Sequence, residues 1–96
     1  MAELFLDEAS QLQDSIAEGL AREDLRAVAN MSHRIKGSSG LLGASGTFVA
    51  ARDLNDLAKA GDLVGATKAW PRLQAELALL EPELHLLIAD AAAMSH

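Results

Sequence analysis

The sequence predicts an all-α protein whose helices pack as an antiparallel bundle. Apolar residues recur at alternating spacings of three and four along most of the chain, which is typical of amphipathic helices. Half of the 96 residues are hydrophobic but only 3% are aromatic, so Leu, Ala, Val and Ile must build the core. Strand patterns are absent and the connections between helical segments are short, which favours antiparallel neighbours. The length suits one domain, residues 1–96, and not two.

The first half of the chain contains two predicted helices. The first spans about residues 3–20, with acidic residues on its outer faces. Asp24 is a candidate N-cap for the second helix, which continues to about Gly40 or Gly43. Apolar residues and two serines form the predicted core stripe of this second helix: Leu25, Val28, Ser32, Ile35, Ser39 and Leu42.

A third helix is predicted at about residues 47–60. Thr47 is its candidate N-cap, and Gly61 fits the turn at its C-terminus. Asp62 is the candidate start of the helical segment that follows.

The last segment has helical periodicity but contains Pro71 and Pro82. A proline lacks an amide donor and clashes with the preceding helical turn. We therefore expect breaks or kinks near Trp70 and Glu81, giving an additional short or kinked helix, or new helices with the prolines in their first turns. The tail, residues 91–96, is expected to fray.

Charge and composition exclude several classes of protein. The net charge of −6 argues against a nucleic-acid-binding surface, since phosphate contacts need clustered Lys and Arg. No apolar run approaches the ~20 residues of a membrane span, and the N-terminus lacks the pattern of a signal peptide. The absence of cysteine excludes disulfides and agrees with a reducing compartment. We expect a cytoplasmic protein with protein partners, without membrane insertion.

One face of the second helix departs from the amphipathic pattern. His33, Lys36, Gly37 and Gly40 share a face because their spacings are those of neighbours on a helix surface. A neutral imidazole can attack phosphorus or accept a proton, and Lys36, three residues on, supplies a cation that can attract phosphoryl oxygens. Phosphoryl transfer depends chiefly on positioning and charge stabilisation, so few groups suffice if a partner brings the rest.

The glycines on and after this face need an explanation, because each helical glycine costs roughly 0.5 to 1 kcal/mol relative to alanine. Gly37 lies too early to be a helix cap, so we interpret it as clearance for a partner that reaches His33. Gly43 admits two interpretations, a functional one and that of a cap that ends the helix.

Other chemistries lack their sequence patterns. The glycine-rich stretch from Gly37 to Gly46 contains no lysine, so no nucleotide-binding loop is predicted and autonomous ATP-dependent kinase activity is not expected. His85 and His96 stand alone, so we predict surface or terminal histidines and no metal site. A serine-hydrolase elbow is absent as well.

The pattern His-x-x-Lys-Gly, followed by five residues and another glycine, resembles the signature of the histidine-containing phosphotransfer (HPt) domain. His33, Lys36, Gly37 and Gly43 carry it. The acidic first helix, the segment 53–57 and the turn 60–62 are also arranged as in that family, so the resemblance covers most of the chain. It implies a four-helix bundle with an exposed histidine that carries a phosphoryl group between receiver domains.

The resemblance also implies roles for individual residues. His33 would be the phosphoacceptor, Lys36 the phosphate-stabilising cation and Gly37 the clearance for the receiver, with Gly43 a structural residue near the end of the helix. Arg34 differs from the family's usual residue after the histidine and would bias partner choice. A partly apolar docking rim would consist of Ala29, Gly40, Leu41 and Ala44.

The implied partners are receiver domains, including those of hybrid sensor histidine kinases. The chain needs no cofactor of its own, since Mg²⁺ is expected on the receiver, and a monomer suffices. Two alternatives stay open: a helical adaptor that binds a receiver or another protein through the His33 face without carrying phosphate, and a small-anion binder that uses Lys36 and the backbone near Gly40.

Overall fold

Four helices joined by connections of two or three residues form the backbone that the computed structural model describes, residues 2–94; side chains are described for residues 7–80. In chain order the helices are α1 (Ala2–Ala21), α2 (Leu25–Leu42), α3 (Ser45–Lys59) and α4 (Leu63–Met94). Each helix packs against the next, and α1 also packs against α4, which closes the bundle. Short connections make sequential helices antiparallel. The predicted all-α four-helix bundle is confirmed.

Aspartates begin two of the helices, as their positions predict. The Ala27 amide donates to Asp24 Oδ1 at 3.2 Å, which caps α2. The Gly65 amide donates to Asp62 Oδ1 at 2.8 Å in the first turn of α4. Each carboxylate therefore satisfies an amide that has no acceptor within its own helix.

Gly43 ends α2 in the left-handed conformation, with φ at 72°. Its amide donates to the Gly40 carbonyl at 3.2 Å, and the amide of Ala44 donates to the Ser39 carbonyl at 2.9 Å. Glycine adopts this conformation without the strain that a β-carbon would bring. The capping interpretation of Gly43 is the one that the structure shows.

The predicted N-cap at Thr47 is wrong. Helix α3 begins at Ser45, with Ala44 as an N-cap that makes no side-chain hydrogen bond, and Thr47 is buried inside the helix. The reason is that Gly43 reverses the chain within two residues. A methyl group on Gly46 would collide with the Glu76 carboxylate of α4, so a negative charge lies beside the first turn of α3 and complements its positive end.

The predicted break of the last segment is also wrong, because α4 runs from Leu63 to Met94 through both prolines. The Pro71 side chain is exposed, while Trp70 and Leu73 on either side are buried. Packing of this buried side therefore outweighs the hydrogen bond that Pro71 removes. Neither α4 nor any other helix in the described part of the chain is long and apolar enough to cross a membrane.

The tail that was expected to fray falls partly on residues outside the description. Residues 91–94 belong to α4, and residues 95–96 lie outside the described residues.

The buried hydrophobic side chains among the described residues are aliphatic apart from Trp70, and four polar residues, Ser32, Ser39, Thr47 and Asn55, are buried as well. The core stripe predicted for α2 is confirmed, since Val28, Ser32, Ile35 and Ser39 are buried and Leu25 and Leu42 are partly buried against them. The hydroxyl of Ser32 donates to the Val28 carbonyl at 2.8 Å, and that of Ser39 to the Ile35 carbonyl at 2.6 Å. Both serines thus enter the core with their hydrogen bonds satisfied within α2.

Alanine substitutions at Gly37 and Gly43 should change the free energy of unfolding in opposite directions. A β-carbon at Gly37 meets no atom within 4 Å, so Gly37→Ala should stabilise the chain by about 0.5–1 kcal/mol through helix propensity. At Gly43 the positive φ disfavours alanine, so Gly43→Ala should cost about 1–2 kcal/mol. Urea unfolding measures both. Gly61→Ala, at a φ of 76°, is the matched control for Gly43, and a destabilised Gly37→Ala would contradict the open face.

Candidate functional site

His33 lies exposed on α2, opposite the side that holds the helix in the bundle. Its neighbour Ser32 is fully buried, and Ile35, two residues on, is 1% exposed. Successive residues of a helix differ by about 100° in direction, so burial of these two side chains turns the imidazole away from the core. The core stripe therefore determines where His33 points.

The turn of α2 that follows His33 presents a cation and uncovered backbone. Lys36, at i+3, is half-buried, and Gly37, at i+4, is exposed with open space where a side chain would be. Residues at these spacings are neighbours on a helix surface. Among the described residues, no hydrogen bond or ion pair is formed by the side chain of His33 or Lys36. Both groups are thus available to an incoming anion.

Helix α3 borders this face on one side. Gly40 is exposed, and a β-carbon there would lie 3.4 Å from Cδ2 of Phe48. This is ordinary van der Waals separation, so the Phe48 ring lies directly beside the bare backbone of α2 at Gly40. Phe48 is a neighbour of the face that the sequence did not identify.

The residues predicted to form the docking surface divide into two groups. Arg34, Gly37, Gly40 and Leu41 are exposed, with Leu41 at 80%. His33, Gly37 and Gly40 follow the i, i+4, i+7 spacing of one helix side, and Arg34 and Leu41 lie next to them along the chain. Ala29 and Ala44 are half-buried; Ala29 packs against the core and Ala44 is the N-cap of α3. The open surface beside His33 therefore consists mainly of α2 after residue 33.

Arg34 borders the face on the α1 side. Its Nη2 lies 3.2 Å from Glu8 Oε1, and the two side chains are 61% and 37% exposed. Surface ion pairs of this kind contribute about 0–1 kcal/mol, so a partner can replace Glu8 at little cost. Sequence reasoning missed this contact, because nothing local to Arg34 indicates which acidic residue of α1 it meets.

Asn55 of α3 contacts the backbone of α2 one turn before His33. Its Nδ2 donates to the Ala29 carbonyl at 2.7 Å and lies 3.4 Å from Ser32 Oγ. The side chain is 1% exposed. Sequence reasoning missed this role as well. The available signal was a polar amide next to Leu54 and three residues before Ala58, two apolar positions of the same helix that are buried in the structure.

The residues that flank His33 determine the charge of this turn of α2. Arg34 and Lys36 flank His33 in a chain whose net charge is −6, so this turn is locally basic. Among the described residues, no group of three or more His, Asp or Glu side chains is placed to hold a metal ion. The turn thus offers a nucleophilic imidazole, a nearby ammonium and free space.

A comparison with family models matches residues 1–91 to the Hpt domain. Neither the comparison with curated proteins nor the comparison with solved structures gives a match. The family match spans nearly the whole chain, and the observed four-helix bundle agrees with it. Hpt domains take part in two-component phosphorelays, where they interact with receiver domains. This chain belongs to the Hpt domain family.

Proposed function

We propose that this chain is a phosphorelay intermediate in which His33 accepts a phosphoryl group from the aspartyl phosphate of one receiver domain and passes it to another. The observation that carries the proposal is the exposed imidazole of His33 on a helix whose next turn offers Lys36 and the bare backbone of Gly37. The family match supports a place in a two-component phosphorelay.

In the transfer step, an imidazole nitrogen of His33 that carries no proton attacks the phosphorus of the aspartyl phosphate. A nitrogen–phosphorus bond forms and the bond between phosphorus and the carboxylate oxygen breaks, which leaves a free aspartate on the receiver. The imidazole keeps the proton on its other nitrogen, so no proton has to leave. In the return step, a receiver aspartate attacks the phosphorus and the imidazole departs.

Lys36 and Gly37 assist this exchange in different ways. The half-buried Lys36 holds its ammonium one turn from the imidazole, where it can attract the oxygens of the transferring group. Gly37 leaves the space one turn after His33 free, so the receiver can bring its aspartate to the imidazole. The rest of the catalytic machinery, including Mg²⁺, comes from the receiver.

The charge and the placement of the site support a protein partner and a monomeric carrier. A net charge of −6 opposes binding to nucleic acid, whereas a receiver can match the local basic turn at Arg34 and Lys36. The proposed site residues from Ala29 to Ala44 lie on α2 and the turn after it, so one chain supplies all of them.

Replacing His33 should abolish phosphorylation. Native chain incubated with a ³²P-phosphorylated receiver domain and Mg²⁺ should acquire an acid-labile, base-stable label, and His33→Gln should acquire none because the nucleophile is gone. His85→Gln is the matched control and should label normally. Label that persists in His33→Gln would assign another acceptor. Binding without label in the native chain, across several receivers, would support the adaptor instead.

Replacing Lys36 should slow the transfer without preventing it. Hydrogen bonds to charged groups contribute about 1.5–3 kcal/mol, so Lys36→Ala should reduce the rate constant about 10- to 100-fold. Rapid-quench measurement of phosphate transfer from the receiver gives this rate. Lys68→Ala, an exposed lysine of α4, is the control and should transfer at the native rate. An unchanged rate constant in Lys36→Ala would exclude a role of Lys36 in the transfer.

Filling the space at Gly37 should weaken receiver binding and leave the fold intact. Gly37→Gln places a side chain in open space on α2, so thermal unfolding should occur at the same or a higher temperature. Its obstruction of the receiver should raise Kd at least about tenfold, which is the effect of ~1.4 kcal/mol. Titration calorimetry measures the Kd. Thr67→Gln, at an exposed position of α4, is the control. Native affinity in Gly37→Gln would place the docking surface elsewhere.

A further inference from the structure

Asn55 is a buried amide at the contact between α2 and α3. It lies on α3 and is 1% exposed. Its Nδ2 donates to the Ala29 carbonyl at 2.7 Å and lies 3.4 Å from Ser32 Oγ. Among the described residues, these are the side-chain hydrogen bonds that join α2 to α3, and Asn55 makes both.

Core packing alone does not account for this residue. Oδ1 of Asn55 is buried and accepts no hydrogen bond from the residues that the structure describes. A buried acceptor without a partner loses its solvation and gains nothing in return, whereas an apolar side chain of the same size avoids that loss. If packing were the only requirement at residue 55, leucine would therefore stabilise the fold at least as well as asparagine.

The bond made by Nδ2 reaches the helical turn that carries His33. Within α2, the carbonyl of residue 29 is the i−4 acceptor for the amide of residue 33. The Ala29 carbonyl therefore joins the backbone of His33 to the side chain of Asn55. Apolar contacts have no preferred direction, but a hydrogen bond of 2.7 Å fixes both distance and orientation.

The two buried serines of α2 do not provide this link. Ser39 Oγ donates to the Ile35 carbonyl and Ser32 Oγ to the Val28 carbonyl, so both hydroxyl protons remain within α2. They allow α3 to pack closely but do not fix the position of α2 along it. Asn55 does, because its donor and its acceptor lie on different helices.

We propose that Asn55 is a positioning residue for phosphoryl transfer: its bond to the Ala29 carbonyl holds the turn from Ala29 to His33 against α3 and sets where the imidazole is presented to a receiver. The inference rests on the proposed function of His33. Small misplacement of a reacting group is costly for transfer, so Asn55 acts on the rate and not on receiver affinity.

Two pairs of side chains of similar size separate the effect of the amide donor from that of side-chain volume. The first pair is the native Asn55, which has the donor, and Asn55→Leu, which lacks it. The second pair is Asn55→Gln, which has the donor, and Asn55→Met, which lacks it. Rapid-quench transfer at increasing concentrations of a phosphorylated receiver gives the maximal rate and the half-saturating concentration. Chemical unfolding of each variant gives its stability. Ala58→Gly, buried one turn away on α3, is the control for destabilisation alone.

We expect the maximal rate to fall about tenfold in Asn55→Leu. Asn55→Met should transfer more slowly than Asn55→Gln. The half-saturating concentration should stay within about twofold of native in every variant, and Ala58→Gly should transfer at the native rate. If Asn55→Leu does not fold, the Gln and Met pair decides.

The proposal would be overturned if the maximal transfer rates correlate with side-chain volume or with stability and not with the presence of an amide donor at residue 55. Equal rates in all variants would overturn it too. Failure of both Asn55→Leu and Asn55→Met to fold would make Asn55 a core residue and overturn it too. If the native chain accepts no phosphate, it is the proposed function of His33 that fails.

Discussion

The close packing of α2 against α3 is the constraint on which the rest of the structure depends. One side of α2 must bury enough surface to keep the helix in the bundle, because the other side is exposed to solvent. Ser32 and Ser39 contribute to this, because they are small and buried and their hydroxyls are hydrogen-bonded inside α2. Asn55 then joins the two backbones. Held by α3 and packed against α1 as well, α2 can present His33, Gly37 and the exposed backbone after them.

A comparison of free energies explains why so small a bundle tolerates the exposed face around His33. Burying a residue such as Ile35, Leu54 or Leu73 contributes about 1.5–3 kcal/mol. The features of the face are weaker: a helical glycine such as Gly37 costs about 0.5–1 kcal/mol and the Arg34–Glu8 pair contributes 0–1 kcal/mol. Stability therefore resides in the buried side of each helix. Residues of the exposed face can be chosen for chemistry with little effect on the fold.

The features that the sequence predicts correctly are local ones. The core stripe of α2 and the Asp24 cap depend on residues three or four apart, which helix geometry relates directly. Thr47 and Pro71 were misjudged because their outcomes depend on tertiary packing: a turn closed by the preceding residues and a buried helix side that outweighs a missing hydrogen bond. The Asn55 contact joins residues 26 apart in the chain, so only the packed bundle shows it. The motif identifies the candidate nucleophile, and the fold shows its neighbours Phe48, Glu8 and Asn55.

The proposed function requires the exposed His33 of α2 to carry the phosphoryl group. Phosphorus and ¹H–¹⁵N NMR spectra of the chain, before and after phosphorylation by a receiver domain with Mg²⁺, test it most directly. We expect one phosphorus signal typical of a phosphorylated imidazole, assigned to His33, with amide shifts concentrated in residues 33–40 and little change in α4. Phosphorus on another residue, or shifts spread through the whole bundle, would contradict it.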